Sequence, residues 1–284
     1  MTQIALLPDG RLHLQHGPID CLVRAWGKHS EIHAAYRQAA DAFPAILPEL
    51  CRELPILRLP QPNLRPTGKI ARAMHAAVAP FTADFITPMA AVAGAVAEAV
   101  LAALKKDRDL TRAFVNNGGD IAFHLAPGQS LRAGLVSDLT NPALDGAFLL
   151  EAHAPARGLA TSGRACKGHG GRSFSRGIAD SVSVLAKTAA QADAAATIIA
   201  NAIDLPGHPA ITRRPASDID PDSDLGDLAI TWDVGPLTTQ EIHSALEAGN
   251  HVAAQLRQSH LIEGAVLCLR GQNIVCGAAA LEIA

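Results

Sequence analysis

Three segments that are far apart in the chain carry the pattern of a nucleotide and metal site. Residues 116–120 read Asn-Asn-Gly-Gly-Asp, residues 161–163 read Thr-Ser-Gly, and Asp193 and Thr197 lie four apart in an alanine-rich run. Glycine pairs let backbone amides approach a ligand closely, and hydroxyls add donors and acceptors. On a helix, the oxygens of Asp193 and Thr197 share one face, and oxygen ligands suit a hard cation such as Mg²⁺.

Each segment also has an ordinary structural interpretation. Asparagine and glycine dominate tight hairpins, so residues 116–120 indicate a hairpin turn about as strongly as a ligand wall. An aspartate in the first turns of a helix favours the helix dipole, and a lone helical threonine is usually tolerated without a role. Spacing alone therefore gives metal binding the smaller weight. The alanines at 194–196 add to it, because small side chains let a helix approach another backbone.

Residues 160–176 combine glycine and serine with four basic side chains, Arg164, Lys167, Arg172 and Arg176. Amide nests and basic side chains of this kind bind phosphates, and a solvated mobile loop is the alternative for the central part. The Walker A spacing is absent. Cys166 and His169 are too few to define a zinc site, and Ser162 lacks the G-x-S-x-G context of a hydrolase nucleophile.

The composition is that of a globular protein with a substantial core, since 49% of the 284 residues are hydrophobic and 18% are charged. The length allows one large α/β domain or two small ones. A net charge of −3 gives no electrostatic reason to expect nucleic acid. Five scattered cysteines without a C-x-x-C pair indicate reduced thiols in a cytoplasmic protein. The uncharged run at 85–97 is too short to cross a bilayer.

Periodicity and turn signals predict an α+β protein with a mostly antiparallel sheet and long helices packed on it. Pro44 and Pro48 should kink or split the first helix, Ser30 should cap it, and Thr87 and Thr188 should cap two others. The predicted helices cover residues 32–53, 67–79, 87–105, 188–203 and 238–258. The predicted strands cover residues 4–7, 12–15, 19–26, 113–116, 121–125, 131–136, 147–153, 157–161, 178–186, 228–234, 265–269 and 274–276. Residues 205–226 predict a long loop.

The three segments, in this order, resemble the ApbE superfamily of flavin transferases. Residues 114–121 resemble its glycine-pair motif, residues 160–163 its second motif, and residues 181–185 with 192–197 its third. The resemblance covers about residues 85–204. Residues 1–60 resemble those of an uncharacterised cytoplasmic branch of the superfamily. The resemblance implies one ApbE-like domain over residues 1–284, built from two related α/β halves that resemble tunnelling folds.

The superfamily uses FAD with Mg²⁺, transfers FMN to a threonine of an acceptor flavoprotein, and in some members hydrolyses FAD to FMN and AMP. Carried over to this chain, Asp193 and Thr197 would give side-chain oxygens to Mg²⁺, and Ala160 and Ala196 would give backbone carbonyls. The nucleotide would be bound by Asn117, Gly118, Gly119, Asp120, Thr161, Ser162 and Gly163. The resemblance names no catalytic residue here, and an oligomer is possible.

Two departures from the superfamily pattern keep other functions open. The helix before the glycine pair has no lysine beside Gly94, and residues 172–180 replace the segment usual between the second and third motifs. The first hypothesis is an enzyme acting at the pyrophosphate of a flavin dinucleotide. The alternatives are a non-catalytic ligand-binding or assembly protein on the same fold, or an enzyme for a different substrate.

Overall fold

The computed structural model describes residues 2–60, 65–136, 144–164 and 174–277, and the backbone of 281–283. The chain forms two compact units. The first unit contains residues 1–132, 149–160 and 186–194, and the second contains residues 133–148, 161–185 and 195–284. The prediction of one domain over the whole chain stays a prediction, and each unit is described by itself.

The strands in chain order are β1 (Thr2–Leu6), β2 (Leu12–His16), β3 (Ile19–Gly27), β4 (Leu110–Asn117), β5 (Asp120–Leu125), β6 (Ser130–Leu135), β7 (Gly146–Glu151), β8 (Gly158–Ser162), β9 (Ser181–Ala186), β10 (Ile211–Pro215), β11 (Ala229–Val234), β12 (Gly264–Leu269), β13 (Gln272–Cys276) and β14 (Leu281–Ile283). The α-helices are α1 (His29–Ala42), α2 (Ile46–Leu57), α3 (Lys69–Val78), α4 (Val92–Lys105), α5 (Ala189–Ala202) and α6 (Thr239–Gln258). The α+β class with an antiparallel sheet and long packed helices is confirmed.

The sheet of the first unit has the order β1-β2-β3-β4-β5-β8, and its paired strands run antiparallel. Alternation along β3 places Cys21 and Val23 in the core, at 0% exposure, while Asp20 and Arg24 are exposed. This period of two is what a half-buried strand requires. The predicted hairpin between β1 and β2 is confirmed, and Gly10 in its turn has a φ of 81°.

Pro44 divides the first helical region as predicted, whereas Pro48 lies in the first turn of α2 and does not split it. A 3-10 turn over Phe43–Ala45 separates α1 from α2, with Pro44 inside that turn. The predicted cap at Ser30 is wrong: α1 begins one residue earlier, its N-cap is Lys28, and no side chain caps it. The predicted cap at Thr87 is confirmed. Thr87 caps a 3-10 turn, Pro88–Ala91, that leads directly into α4, and its side chain accepts a hydrogen bond from the amide of Met89 at 3.2 Å.

Helix α4 is the central helix of the first unit and packs against α1, α3, β4 and β5. Its buried residues surround the helix, as expected for a core helix. The segment Pro88–Lys105 is long and apolar enough to cross a membrane, with a mean hydropathy of 1.5, and 50% of it is buried. The core helices of soluble proteins can be equally long and apolar, so this segment is not assigned to a membrane. The cytoplasmic location stays a prediction.

The second unit contains the antiparallel strands β9, β12 and β13, with α6 packed on β12 and β13. Thr238 and Glu241 form a capping box at the start of α6, which explains why the helix begins at Thr239. The predicted loop at 205–226 is wrong, because β10 lies inside it and pairs with β11. Arg213 of β10 donates hydrogen bonds to Asp204 and to the carbonyl of Arg176, both at 2.5 Å.

Candidate functional site

Asp193 lies in the first turns of α5 and reaches the beginning of α4, within the first unit. Its Oδ2 accepts a hydrogen bond from the amide of Gly94 at 3.0 Å, and the amide of Ala93 also donates to the carboxylate. These amides belong to the first turn of α4, where backbone N–H groups have no partner inside the helix. Removal from water raises the pKa of Asp193 to about 7, although both amides lower it.

Glu98 makes the reciprocal contact from α4 to α5. Its Oε1 accepts a hydrogen bond from the amide of Ala190 at 3.2 Å, and the amide of Ala189 and the hydroxyl of Thr188 also donate to it. Burial raises the pKa of Glu98 above its ordinary value, and these donors oppose the shift. The predicted cap at Thr188 is confirmed, because its Oγ1 accepts from the amide of Gln191 at 3.1 Å. Each helix therefore caps the other with a carboxylate.

Two glycines allow α4 and β8 to approach the start of α5. A Cβ on Gly94 would lie 2.3 Å from the carbonyl oxygen of Ala189, and a Cβ on Gly158 would lie 2.2 Å from its amide nitrogen. Backbone atoms cannot move aside as a side chain can, so both positions require glycine. This close approach is what brings the Gly94 amide within reach of Asp193.

The glycine pair forms a tight two-residue hairpin between β4 and β5. Asn117 pairs with Asp120, and Gly118 and Gly119 between them have φ values of 64° and 111°. Positive φ at both central residues matches a type I′ turn. The side chain of Asn116 accepts a hydrogen bond from the Gly119 amide at 2.8 Å. Apart from the adjoining residues of the turn, no atom of the described residues lies within 4 Å of a Cβ built on either glycine.

Asn117 connects this hairpin to the same end of α4. It is 7% exposed, and its Nδ2 donates to the carbonyl of Ala93 at 3.1 Å. Its Oδ1 accepts from the amide of Asp20 at 3.3 Å. Asp120 is also buried, at 8% exposure. The structure thus brings the first predicted motif and Asp193 together at residues 93–94.

Residues 161–163 of the second predicted motif belong to the second unit, whereas Ala160 belongs to the first. Thr161 and Ser183 share a hydrogen bond of 2.8 Å between their hydroxyls, and Ser162 is half-buried at the end of β8. Gly163 has a φ of 142°, and a Cβ there would lie 2.4 Å from the carbonyl oxygen of Asp180. Packing against a neighbouring backbone therefore accounts for this glycine, and its role in binding a nucleotide stays a prediction.

The basic loop is only partly described. The amide of Arg164 donates to the carbonyl of Ala179 at 2.9 Å, and its guanidinium donates to the carbonyl of Trp232 at 3.4 Å. The amide of Arg176 donates to the side chain of Asn201 at 3.0 Å. Residues 165–173 lie outside the described residues, and with them the predicted anion contacts of Lys167 and Arg172 and the Cys166–His169 pair.

The predicted metal ligands are all oxygen donors, which is the donor chemistry that Mg²⁺ prefers. A carboxylate has about four acceptor positions. The hydrogen bonds from two backbone amides therefore leave lone pairs of Asp193 free to bind a cation. Ala160 is fully buried in β8, and Ala196 is buried in α5, with Thr197 the next residue. Asp193 and Ala160 belong to the first unit, whereas Ala196 and Thr197 belong to the second. Across the described ranges, no group of three or more His, Cys, Asp or Glu side chains could hold a metal.

A pocket of about 280 Å³ lies further along α4 in the first unit. Its basic wall includes Arg157, which donates to the carbonyls of Ala152 and Ala154 and so fixes the local backbone. Burial, followed by the nearby charge of Lys105, lowers the pKa of His124 in the same wall. His124 also contacts the carbonyl of Leu110, at 3.3 Å. None of the residues predicted to bind the nucleotide or the metal lines this pocket.

Sequence reasoning missed Glu98, Gly158 and the amides of residues 93–94. Glu98 did carry a signal, since it is the first charged residue after the uncharged run at 85–97. A carboxylate at the end of such a run in a core helix needs donors, and donors are plentiful at the start of another helix. Ala90, Ala93, Gly94 and Ala97 form a small-residue face in the sequence, which predicts close packing of this helix but does not identify the element it packs against.

The profile of the family described as AbpE bacteria matches residues 4–275. Among known proteins, a UPF0280 protein of Methanopyrus kandleri is 35% identical over 187 residues, covering 64% of this chain and 69% of the relative. A UPF0280 protein of Methanospirillum hungatei is 37% identical over 130 residues, covering 45% and 50%. That of Methanothermobacter thermautotrophicus is 38% identical over 121 residues, covering 43% and 44%. The chain spans half or less of the last two relatives.

Two solved structures align with most of the chain. The flavin transferase ApbE from Vibrio cholerae is 12% identical, covers 98% of this chain and 98% of its own, and has a TM-score of 0.42. The ApbE protein from Thermotoga maritima is 14% identical, covers 89% of this chain and 77% of its own, and has a TM-score of 0.39. Scores and identities this low transfer no residue role.

Proposed function

Because this chain belongs to the AbpE bacteria family, and so to the ApbE-like superfamily, we propose that it binds FAD with Mg²⁺ and acts at the pyrophosphate. In the hydrolytic form, water would break the P–O–P linkage and give FMN and AMP. In the transfer form, a hydroxyl of an acceptor flavoprotein would take FMN, and AMP would leave. The family match over residues 4–275 agrees with the resemblance of the three motifs.

The observation that carries the proposal is the convergence of two motifs on the first turn of α4. The backbone of residues 93–94 donates to Asp193 through its amides and accepts from Asn117 through the carbonyl of Ala93. These contacts join segments that are 76 residues apart in sequence, at positions 117 and 193. A binding site needs such contacts to fix its polar groups before the ligand arrives.

Asp193 would hold the metal in this proposal. It is a half-buried carboxylate oriented by two amides, and its raised pKa reflects the cost of its charge in this environment. A cation would favour the charged form. Thr197, one turn further along α5, would add its hydroxyl, and the carbonyls of Ala160 and Ala196 would contribute further oxygens. Bound Mg²⁺ would neutralise the diphosphate and stabilise charge that develops there.

The glycine hairpin would form part of the nucleotide wall. Among the described residues, none outside the turn lies within 4 Å of a Cβ built on Gly118 or Gly119, and a ligand would lie against the backbone on this side. Asn117 and Asp120, both largely buried, would hold the turn in place. The proposal also retains the nucleotide contacts that the resemblance implies for Thr161, Ser162 and Gly163.

A non-catalytic binding protein on the same fold is the second candidate. One observation favours it: the carboxylate of Asp193 accepts hydrogen bonds from two backbone amides of α4, and this capping role alone accounts for the burial of a carboxylate here. In that case the carboxylate would need no metal. Mg²⁺ dependence separates the two candidates, because a capping role predicts none.

Calorimetric titration of FAD, with and without Mg²⁺, tests the proposal, together with chromatography of incubated mixtures for FMN and AMP. We expect FAD binding that depends on Mg²⁺ and the appearance of products. Binding that ignores Mg²⁺ and yields no product would favour the second candidate. The absence of both binding and products would contradict both.

A further inference from the structure

The pocket of about 280 Å³ beside α4 (the α4 pocket) combines buried apolar residues with three cationic side chains. All its lining residues belong to the first unit, and its volume is that of roughly nine molecules of liquid water. Leu101 and Phe123 form its buried apolar part. The cations come from three separate parts of the chain, since Lys105 ends α4, Arg157 precedes β8 and Lys187 precedes α5. Small-molecule sites combine an apolar lining with a few polar groups in the same way.

The cations of the α4 pocket are not neutralised by its carboxylate. Glu98 is the only acidic residue among the described residues that line the pocket. Burial raises the pKa of Glu98, and its carboxylate already accepts hydrogen bonds from two amides at the start of α5 and from the hydroxyl of Thr188. Across the described part of the chain, neither Lys105 nor Lys187 forms an ion pair. With Arg157, the lining therefore has an excess of at least two positive charges.

Two of the three cations are not fully explained by the fold. Lys105 lies in the last turn of α4, where the helix dipole stabilises a cation. Lys187, by contrast, lies two residues before α5, beside the positive end of that helix, where a cation is disfavoured. The guanidinium of Arg157 is fixed by hydrogen bonds of 2.5–2.8 Å to three carbonyls of residues 152–156. These bonds use at most three of its five N–H groups, and the others have no partner among the described residues.

The positive charge of the α4 pocket acts on His124 in β5. Burial lowers the pKa of His124, and the charges of Lys105 and Arg157 lower it further. Its Nε2 lies 3.3 Å from the carbonyl of Leu110, which can only accept a hydrogen bond. In the neutral ring Nε2 therefore carries the proton and Nδ1 does not. An anion in the pocket would offset the two charges and favour the protonated ring, so the pKa of His124 reports anion binding.

We propose that the α4 pocket binds a small organic dianion of the phosphate monoester class. Its phosphate lies among Lys105, Arg157 and Lys187, and its apolar group lies against Leu101 and Phe123. A phosphate monoester carries close to two negative charges and three acceptor oxygens on one group, which matches the excess charge of the lining. A dicarboxylate of this size would have to place one of its charges against the apolar residues. None of the residues proposed to bind FAD or Mg²⁺ lines the pocket, so this is a second site.

Calorimetric titration of the full chain with phenyl phosphate tests the proposal, and it contains neither FAD nor Mg²⁺, so its outcome is independent of the proposed function. The wild type should bind phenyl phosphate about 10-fold more tightly than inorganic phosphate, because the ring buries apolar surface. It should bind succinate more weakly than phenyl phosphate, because succinate carries its two charges on separate groups.

Variants of the lysines locate the site. Lys105→Gln should raise the Kd for phenyl phosphate about 3-fold, and Lys105→Gln/Lys187→Gln about 10-fold, because exposed ion pairs are individually weak. Lys106→Gln is the matched control, since it removes the same charge from the next exposed residue, which does not line the pocket, and it should bind like the wild type. All three lysines are exposed, so the circular dichroism spectrum and Tm should not change.

The ring of His124 provides a second readout by NMR, with its signal assigned by comparison with His124→Gln. Saturation with phenyl phosphate should raise the pKa of His124, because the bound anion offsets the charges of Lys105 and Arg157. An unchanged pKa at saturation, or a wild type that does not bind phenyl phosphate, would overturn the proposal. Equal losses of affinity in Lys105→Gln and Lys106→Gln would overturn it as well, and so would inorganic phosphate or succinate binding as tightly as phenyl phosphate.

Discussion

The carboxylate of Asp193 accepts a hydrogen bond from the amide of Gly94, across 3.0 Å between α5 and α4. Glu98 returns the contact, since it accepts from the amide of Ala190 at 3.2 Å. Each helix therefore begins against a carboxylate from the other. Gly94 makes the pair possible, because any side chain there would meet the carbonyl of Ala189.

Gly94→Ala should destabilise the protein by about 3 kcal/mol, near the upper end of the range for overpacked cores. Its Cβ would lie 2.3 Å from a backbone oxygen. Gly249→Ala in α6 is the control, because its Cβ would lie 2.3 Å from Cγ1 of the buried Ile203, a side chain that can repack, instead of a backbone atom. Denaturant unfolding should show the smaller loss for Gly249→Ala. Equal losses would show that the α4–α5 contact is not rigid.

Gly118→Ala tests whether the hairpin contacts a ligand. Gly118 and Gly271 have φ values of 64° and 76°, and at both positions the described part of the chain, apart from the adjoining residues, leaves the Cβ position open. Alanine in this conformation costs about 1–2 kcal/mol, so both variants should lose similar stability. Only Gly118→Ala should also weaken FAD binding. Unchanged FAD affinity in Gly118→Ala would leave the hairpin with a turn role alone.

Glu241 should make the free energy of unfolding depend on pH in the acidic range. The amide of Thr238 at 2.7 Å, and then His208 at 2.9 Å, lower the pKa of Glu241 from 4.5 to about 2. A lowered pKa means that the folded state binds the proton less tightly than the unfolded state does. The stabilisation is therefore present above pH 4.5 and is lost as the pH falls toward 2. Denaturant unfolding of the wild type and Glu241→Gln should converge over this window, and parallel curves would contradict the expectation.

The cysteines should differ in reactivity. Burial raises the pKa of Cys21 to about 12 and that of Cys268 to about 11, whereas Cys51 is exposed. Alkylation needs the thiolate and access to it. Peptide mapping of the native protein should find Cys51 modified and Cys21 and Cys268 protected, and denaturant should make all three react. Rapid native modification of Cys21 would contradict its buried position.

The sequence predicts the start of a helix where the capping residue and the amide it caps are neighbours in the chain. Thr87 and Thr188 cap their segments through amides two or three residues away, so the sequence pattern was sufficient. The sequence does not predict β10, because the strand with which it pairs, β11, is distant in the sequence. Its residues are half-buried or exposed without an apolar period, and Arg213 is held by Asp204 and by the carbonyl of Arg176.

The candidate site was only partly predictable for the same reason. The pattern found Asp193 and the glycine pair, but nothing near residue 193 reveals that its partner is the amide of Gly94, 99 residues earlier. The role of Glu98 depends on the start of α5 and is equally non-local. The glycine pair also predicts a hairpin, and this prediction is confirmed, because both glycines have positive φ values in a two-residue turn.

Titration of Mg²⁺ in the presence of FAD, against Asp193→Asn and Glu98→Gln, tests the central claim most directly. Both variants remove one charge from the same helix pair and keep an acceptor for an amide. Even loss of an outer partner of a metal costs about 10–100-fold in affinity, so loss of a ligand at Asp193 should cost more than about 100-fold. Glu98→Gln should retain the wild-type affinity. Equal Mg²⁺ affinity in the two variants would show that Asp193 is a helix cap and would contradict the metal site.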